Sequence, residues 1–228
     1  RLSLVGSEMC IRDRSMAEAV AVIPDGASVL VGGFGEAGVP YELLQCLAES
    51  GRRDLTIISN NAGTFERGIA ALLIRKQVRK IICSHPRPPN SDAFARAFRA
   101  GEVELECVPQ GTLAERLRAA GAGLGPFYTP TGYGTELAAG RRQEVIDGVG
   151  YVLEHPLRGD YALIRAHLGD RWGNLMYRHA ARNFNPVMCM AAGHAIAQVD
   201  EVVPLGTFVP EQVMTQGIFV KSVVRVEA

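Results

Sequence analysis

Short apolar runs alternate with amphipathic stretches over the first half of the chain. Ser28 to Val31 is apolar and β-branched, and Leu55 to Ser59, Lys80 to Cys83 and Val103 to Val108 repeat that character, as buried or half-buried strands do. The stretches between them have a helical period. Met16 to Ile23 puts Ala, Val and Ile on one face. Pro40 to Ser50 carries Leu43, Leu44 and Leu47 as a buried stripe, with Pro40 suited to a first turn and Gly51 to a stop. Phe65 to Arg75 and Ser91 to Arg99 follow, the second capped by Ser91 and ended by Gly101. Thr112, with Glu115 three residues on, has the reciprocal capping pattern that opens another helix. Strands alternating with helices of about 10 residues predict βαβ units, hence an α/β fold with a mainly parallel sheet and helices on both faces.

Gly121 to Gly150 is rich in Gly, Pro and Thr and reads as an extended loop region. Strand character then dominates, at Tyr161 to His167, Val187 to Ala191, Ile196 to Val203 and Ile218 to Val224. With no internal repeat and no linker-like stretch, residues 15–228 are read as a single domain. The stretch before it, LSLVGSEMCIRDR, has neither period, is too short in its apolar part for a signal peptide, and resembles a translated sequencing adapter. Residues 1–14 are therefore expected to be a non-native or poorly packed leader.

Composition narrows the class. The 228 residues are 47% hydrophobic, enough for a sizeable core, and Lys plus Arg equals Asp plus Glu at 24 each. That balance, with arginines scattered rather than blocked, argues against a nucleic-acid or membrane-surface partner. No apolar run approaches the roughly 20 residues of a membrane helix. Cys10, Cys46, Cys83, Cys107 and Cys189 are odd in number and widely spaced, which suits free thiols in a reducing cytoplasm. His85, His155, His167, His179 and His194 have no metal-like spacing, so no metal is expected.

The most suggestive chemistry lies after the first strand. Gly33, Gly35 and Gly38 match the G-x-G-x-x-G dinucleotide fingerprint, and Asp54 lies about 20 residues on. Position argues against that reading. Asp54 precedes the second strand, whereas a ribose-binding carboxylate belongs at its carboxyl end, where Asn60 and Asn61 stand. Pro40 also starts the helix late. The alternatives are a tight turn and a loop whose glycines let a ligand approach backbone N–H groups.

Further strings widen the picture. VLVGGFGEAGVP, ISNNAG (Ile58 to Gly63), VPQGTLAERLRAAGAG (Val108 to Gly123), FYTPTGYGT (Phe127 to Thr135) and ARNFNPVMCMAA (Ala181 to Ala192), in this order, resemble the A subunit of family I, 3-oxoacid-type CoA-transferases. Ser84 to Arg87 and Asn183 to Met190 are more similar to the 3-oxoadipate branch than to the mitochondrial ketone-body branch. The resemblance implies the family's three-layer architecture and CoA transfer from succinyl-CoA to a 3-oxoacid, 3-oxoadipate favoured, with coenzyme A as substrate and no cofactor. It implies that a B subunit supplies the nucleophilic glutamate, in a Ser-Glu-Asn-Gly-like string, within an A₂B₂-type assembly. No Glu-Asn pair occurs in this sequence, so the chain is expected to be inactive alone.

Attack on a thioester carbonyl places negative charge on its oxygen, and fixed neutral donors aimed there can each contribute roughly 3 kcal/mol. Gln110 is the first choice of donor. Its match carries the oxyanion-stabilising role in the family, and it is expected between the strand ending at Val108 and a helix capped at Thr112. Asn60 and Asn61 come next, then the loop of Gly32, Gly33, Phe34, Gly35 and Gly38. Tyr133, in the YTPTGYG loop, is read either as a channel-lining residue for substrate or CoA or as an anchor for a tight loop. Arg182, Asn183 and Asn185 hold either the active-site wall or the contact with the other chain, or only pack. Glu36 lacks a nucleophile's flanking signature. The competing readings are a sugar-phosphate isomerase-like ligand-binding module and a purely structural partner of the B subunit.

Overall fold

The β-branched runs and the leucine stripes assemble into three layers. A computed structural model of the chain describes residues 15–86 and 90–226; the expected leader and Arg87 of the family-like string lie outside the described residues. In chain order the elements are α1 (Met16–Val20), β1 (Ser28–Val31), α2 (Tyr41–Glu49), β2 (Leu55–Asn61), α3 (Ile69–Ile74), β3 (Val78–His85), α4 (Ala93–Arg99), β4 (Glu104–Cys107), α5 (Gln110–Ala122), β5 (Phe127–Thr129), β6 (Gln143–Ile146), β7 (Val149–Glu154), β8 (Gly159–Asp170), β9 (Leu175–Met176), α6 (Asn185–Ala191), β10 (Ala192–Val203) and β11 (Val220–Arg225).

Eight strands form the main sheet, ordered β11-β10-β8-β1-β2-β3-β4, with β9 added beside β8. Every neighbouring pair along that path is parallel, and only β9 runs antiparallel. Successive side chains leave a strand on opposite faces, so the sheet carries two cores. Val29, Val31, Ile57, Ile81, Leu163 and Ile196 pack on one face with the buried leucines of α2 and α3. Leu30, Ile58, Ile82, Ala162 and Ile164 pack on the other with Leu113 and Leu117 of α5 and Met188 of α6. Each of these Val, Leu, Ile and Met side chains contributes about 1.5–3 kcal/mol on burial. The expected parallel α/β sheet with helices on both faces is what forms.

Several local expectations are overturned. Val187 to Ala191 belongs to helix α6, not to a strand. A five-residue apolar run has no period of its own, and Pro186 in the first turn with buried Met188, Cys189 and Ala191 settles it as helical. Gly121 to Gly150 is not one loop: it holds the end of α5 and most of a small antiparallel sheet, ordered β5-β7-β6. Its hairpin turns at Asp147 and Gly148, both at positive φ (51° and 79°), the Asp-Gly type I′ signature. The helix expected from Phe65 starts only at Ile69, because Phe65 (φ 55°) and Gly68 (φ 61°) are left-handed.

Helix α5 begins at Gln110 after Pro109, so Thr112 lies inside it, buried, with a hydroxyl that makes no hydrogen bond. The reciprocal cap expected there occurs instead at Ser15 and Glu18 of α1. Helix α4 starts at Ala93, after Asp92 rather than Ser91.

Candidate functional site

Register puts the ends of four strands level. Val31 pairs with Ser59, Ser59 with Cys83 and Cys83 with Cys107, a single row across β1, β2, β3 and β4. All four strands are parallel, so whatever follows this row emerges on one edge of the sheet, where open α/β sheets bind ligands. That edge carries the glycine loop after β1, Asn60 and Asn61 of β2, Ser84 and His85 of β3, and Gln110 just beyond β4. Asp54 stands before β2, at the opposite end, which disposes of the dinucleotide reading on geometric grounds.

The glycine loop has a buried base and an exposed tip. Gly32, Gly33 and Gly38 are buried and Gly35 is exposed. The tip is a two-residue turn closed by Phe34 N–H to the Ala37 carbonyl (3.0 Å) and Ala37 N–H to the Phe34 carbonyl (3.1 Å). At the base, fully buried Asn185 is the brace. Its Oδ1 accepts from Arg165 N–H (2.9 Å), and its Nδ2 donates to the carbonyls of Gly38 (3.0 Å) and Ala181 (2.8 Å). Asn183 Nδ2 donates to the Ala37 carbonyl (2.9 Å). A Cβ at Gly32 would collide with the Asn185 amide, and one at Gly38, which sits at φ 69°, would meet Asn185 Nδ2 at 2.7 Å. These two glycines therefore serve the close approach of the brace. Asn183 and Asn185 hold the wall of the loop, and Arg182 is exposed.

Between this loop and the ends of β2 and β3 lies a cleft of about 510 Å³, lined among others by Phe34, Gly35, Asn60, Asn61, His85 and Gln110. Five of the sequence-derived residues thus share one cavity. Gly32 and Gly33 line a small pocket beneath the loop, next to it. Asn60 is buried, and its Nδ2 donates to Ser84 Oγ (3.0 Å) while Ser84 Oγ donates back to the Asn60 carbonyl (3.0 Å), which fixes the amide. Asn61 Oδ1 accepts from Gly63 N–H (2.8 Å) and orders the turn after β2. Gln110, the first residue of α5, is exposed to the cleft.

Tyr133 lies elsewhere. Its ring covers Gly150 of the small sheet, where a Cβ would overlap it, and it is absent from the cleft wall. Of the five histidines, only His85 lines the cleft. Among the described residues no cluster of three or more His, Cys, Asp or Glu could hold a metal, and no helix is long and apolar enough to cross a membrane.

Glu36 is the cleft's one carboxylate among the described lining residues, and it is engaged. Its Oε2 accepts from Tyr41 Oη (2.6 Å) and from Arg67 Nη2 (2.6 Å). Burial pushes this carboxyl up, but the hydrogen bonds from Tyr41, Arg67 and Thr64 outweigh it and hold it below its ordinary value. Burial, then the Glu36 hydrogen bond, pushes Tyr41 up to about 12. Phe65, Thr64 and Asn90 also line the cleft, with Ser84, and these three carry no site signal in the sequence. Phe65 is concealed there by its assignment to a helix. Ser84 and His85 do carry a usable signal, being the residues at the carboxyl end of the third parallel strand.

Comparison with known proteins matches this architecture. The Coenzyme A transferase family model matches residues 14–226. The chain is 60% identical over 212 residues to the A subunit of 3-oxoadipate CoA-transferase from Pseudomonas putida, covering 93% of this chain and 92% of that protein. It is 44% identical over 210 residues to the A subunit of the probable succinyl-CoA:3-ketoacid coenzyme A transferase of Bacillus subtilis, with 92% and 87% covered. Among solved structures, the acyl-CoA transferase of E. coli O157:H7 in its thioester complex with CoA superposes with a TM-score of 0.84 at 24% identity, over 96% of this chain and 50% of that one. At that identity the likeness speaks for the fold.

Proposed function

The chain belongs to the Coenzyme A transferase family, and from that premise we propose that it is the A-type half of a two-chain enzyme moving CoA from succinyl-CoA to a 3-oxoacid, with 3-oxoadipate as the preferred acceptor. On this reading coenzyme A is a substrate and no cofactor takes part. A glutamate of a separate B-type chain attacks the thioester carbonyl. The tetrahedral oxyanion collapses to an acyl anhydride as CoA thiolate leaves. The thiolate then attacks the glutamyl carbonyl, giving an enzyme thioester and free succinate, and the acceptor carboxylate reverses these steps. An A₂B₂ assembly in the cytoplasm, where free thiols persist, suits this division.

The observation that carries the proposal is the meeting of neutral amides in one cleft whose only described carboxylate is already taken. Gln110, Asn60 and Asn61 converge there, while Glu36 is tied to Tyr41 and Arg67. Neutral donors suit an oxyanion that faces a carboxylate nucleophile, because a lysine in their place would lock that carboxylate into an ion pair. The acceptor preference rests on the name and 60% identity of the Pseudomonas relative. The sugar-phosphate and purely structural readings have no comparable support.

The test is to co-produce this chain with its B-type partner and measure appearance of the new acyl-CoA from succinyl-CoA and 3-oxoadipate. Quenched reactions should carry CoA on the partner and not on this chain by mass spectrometry. Absence of exchange with every plausible partner, or a CoA adduct on this chain, overturns the proposal.

A further inference from the structure

The transfer chemistry leaves one charged group at the cleft without a role, and we propose that Glu36, Tyr41 and Arg67 form a clasp that holds the tip of the glycine loop in place over the cleft, making all three positioning residues for CoA transfer. The inference rests on the transferase reading for its consequence in turnover but not for its geometry.

The base of the loop is fixed by Asn185, but the tip projects past it. Gly35, at φ 58°, and Glu36 are the two central residues of the closing turn, and both are exposed. From outside the loop, Asn183 Nδ2 reaches the Ala37 carbonyl (2.9 Å), and the two central residues are held through Glu36, on which Tyr41 Oη and Arg67 Nη2 both donate at 2.6 Å, with the Thr64 hydroxyl as a further partner. They come from two different segments. Tyr41 is the first residue of α2, and Arg67 sits in the turn after β2. The Arg67 guanidinium lies over the Tyr41 ring at 4.2 Å and 5.7 Å from the Phe65 ring. Gly68 backs onto the same tyrosine, where a Cβ would stand 3.1 Å from Cε1. Loop tip, helix start and turn are thereby joined through one phenol and one guanidinium.

Two further facts argue that this join serves the site. Phe65 holds φ at 55°, uncommon for a bulky side chain, and it is an exposed cleft-lining residue. Strain of this kind concentrates where a surface must be shaped. The Glu36–Arg67 pair, with side chains 40% and 57% exposed, contributes little to folding stability as an isolated ion pair. Its effect is to tie together two walls of one cavity. With Glu36 occupying its guanidinium, Arg67 is a structural cation and not a free anchor for a substrate carboxylate.

The test uses Glu36→Gln, Arg67→Met and the double variant, each assembled with the B-type partner. Each single change should lower kcat by about 10- to 100-fold, the scale of a misplaced catalytic group, with KM for both acids little changed. The double variant should be no worse than the poorer single one, and Arg67→Lys should recover part of the loss. Amide exchange of residues 32–38 should accelerate in both single variants while the melting temperature holds. Additive losses, unchanged kcat, or a KM increase confined to acids with a second carboxylate would overturn the clasp, the last by making Arg67 a substrate ligand. Exchange is read without turnover. Unchanged exchange overturns the clasp by itself, whereas accelerated exchange in a complex whose parent transfers no CoA supports the clasp and counts against the transferase reading alone.

Discussion

Replacing Asn185 by alanine should damage stability and site together, and the size of the effect follows from the contacts. The side chain is fully buried and serves Arg165 N–H and the carbonyls of Gly38 and Ala181, at 2.8–3.0 Å. Each group left unpaired costs about 1–3 kcal/mol when fully buried. Only the bond to Gly38 is fully buried and the other two are part-buried, so the low end applies to those. Taking about 2 kcal/mol for the fully buried group and adding about 1 kcal/mol for the void left beside Gly32 and Gly38 gives a total of roughly 5 kcal/mol. At roughly 2–4 °C per kcal/mol for a chain of this size, the melting temperature should fall by about 10–20 °C. Thermal unfolding by circular dichroism measures this directly, and amide exchange should show the Gly32 to Gly38 segment loosened. A loss below about 1 kcal/mol, the worth of a single ordinary hydrogen bond, would mean that the loop does not depend on Asn185.

Other perturbations have separate outcomes. Gln110→Ala in the assembled enzyme should reduce kcat by about 100-fold or more with assembly intact; an unchanged rate removes Gln110 from the site. Arg116, whose side chain is 11% exposed, bridges Glu106 of β4 at 2.9 Å and Glu154 of the small sheet at 3.8 Å. Arg116→Met should therefore cost about 3 kcal/mol in urea unfolding by leaving those carboxylates under-compensated, and a loss within about 0.5 kcal/mol, the scatter of surface substitutions, would refute this. Asp160 accepts from Ser28 Oγ (2.6 Å) and Ser28 N–H (2.8 Å), and these bonds, the hydroxyl's first, hold its carboxyl below the usual 3.8. A depressed folded value gives a stabilisation that is full above the unfolded value and fades as pH falls through the folded one. The gap in urea midpoint between the parent and Asp160→Asn should thus be constant near neutrality and shrink in strong acid, and a gap that persists unchanged through that range refutes the assignment.

The parts of the fold legible in sequence were those set by local pattern and apolar burial. The first two strands and the leucine stripe of α2 stand where the pattern put them, because a core face repeats with its element's period. The amide cluster was legible for a related reason: a residue after an apolar strand of a parallel sheet must emerge on the carboxyl edge, so the positions of Asn60, Asn61 and Gln110 followed from strand boundaries. What failed had weak local signals. Val187 to Ala191 could not be sorted into helix or strand by period, and Thr112 offered a cap pattern one turn too late because Pro109 had already set the start of α5. The small sheet was hidden in glycine-rich sequence, although Asp147-Gly148 between apolar residues is a hairpin signal. The clasp had no local signature, since Glu36 and Arg67 meet only when two loops fold toward each other.

Strand β1 lies between β2, close behind it in the chain, and β8, which begins at Gly159; the residue that braces its loop is Asn185. During synthesis, the amides of the cleft leave the ribosome well before the segment that immobilises their neighbouring loop. A nascent or truncated polypeptide ending short of α6 would carry Asn60, Asn61 and Gln110 yet lack the side chain that braces the loop. Ordering of the loop therefore waits until α6 has been made, and a product that stops before Asn185 should leave the loop unbraced even where its first strands have already paired.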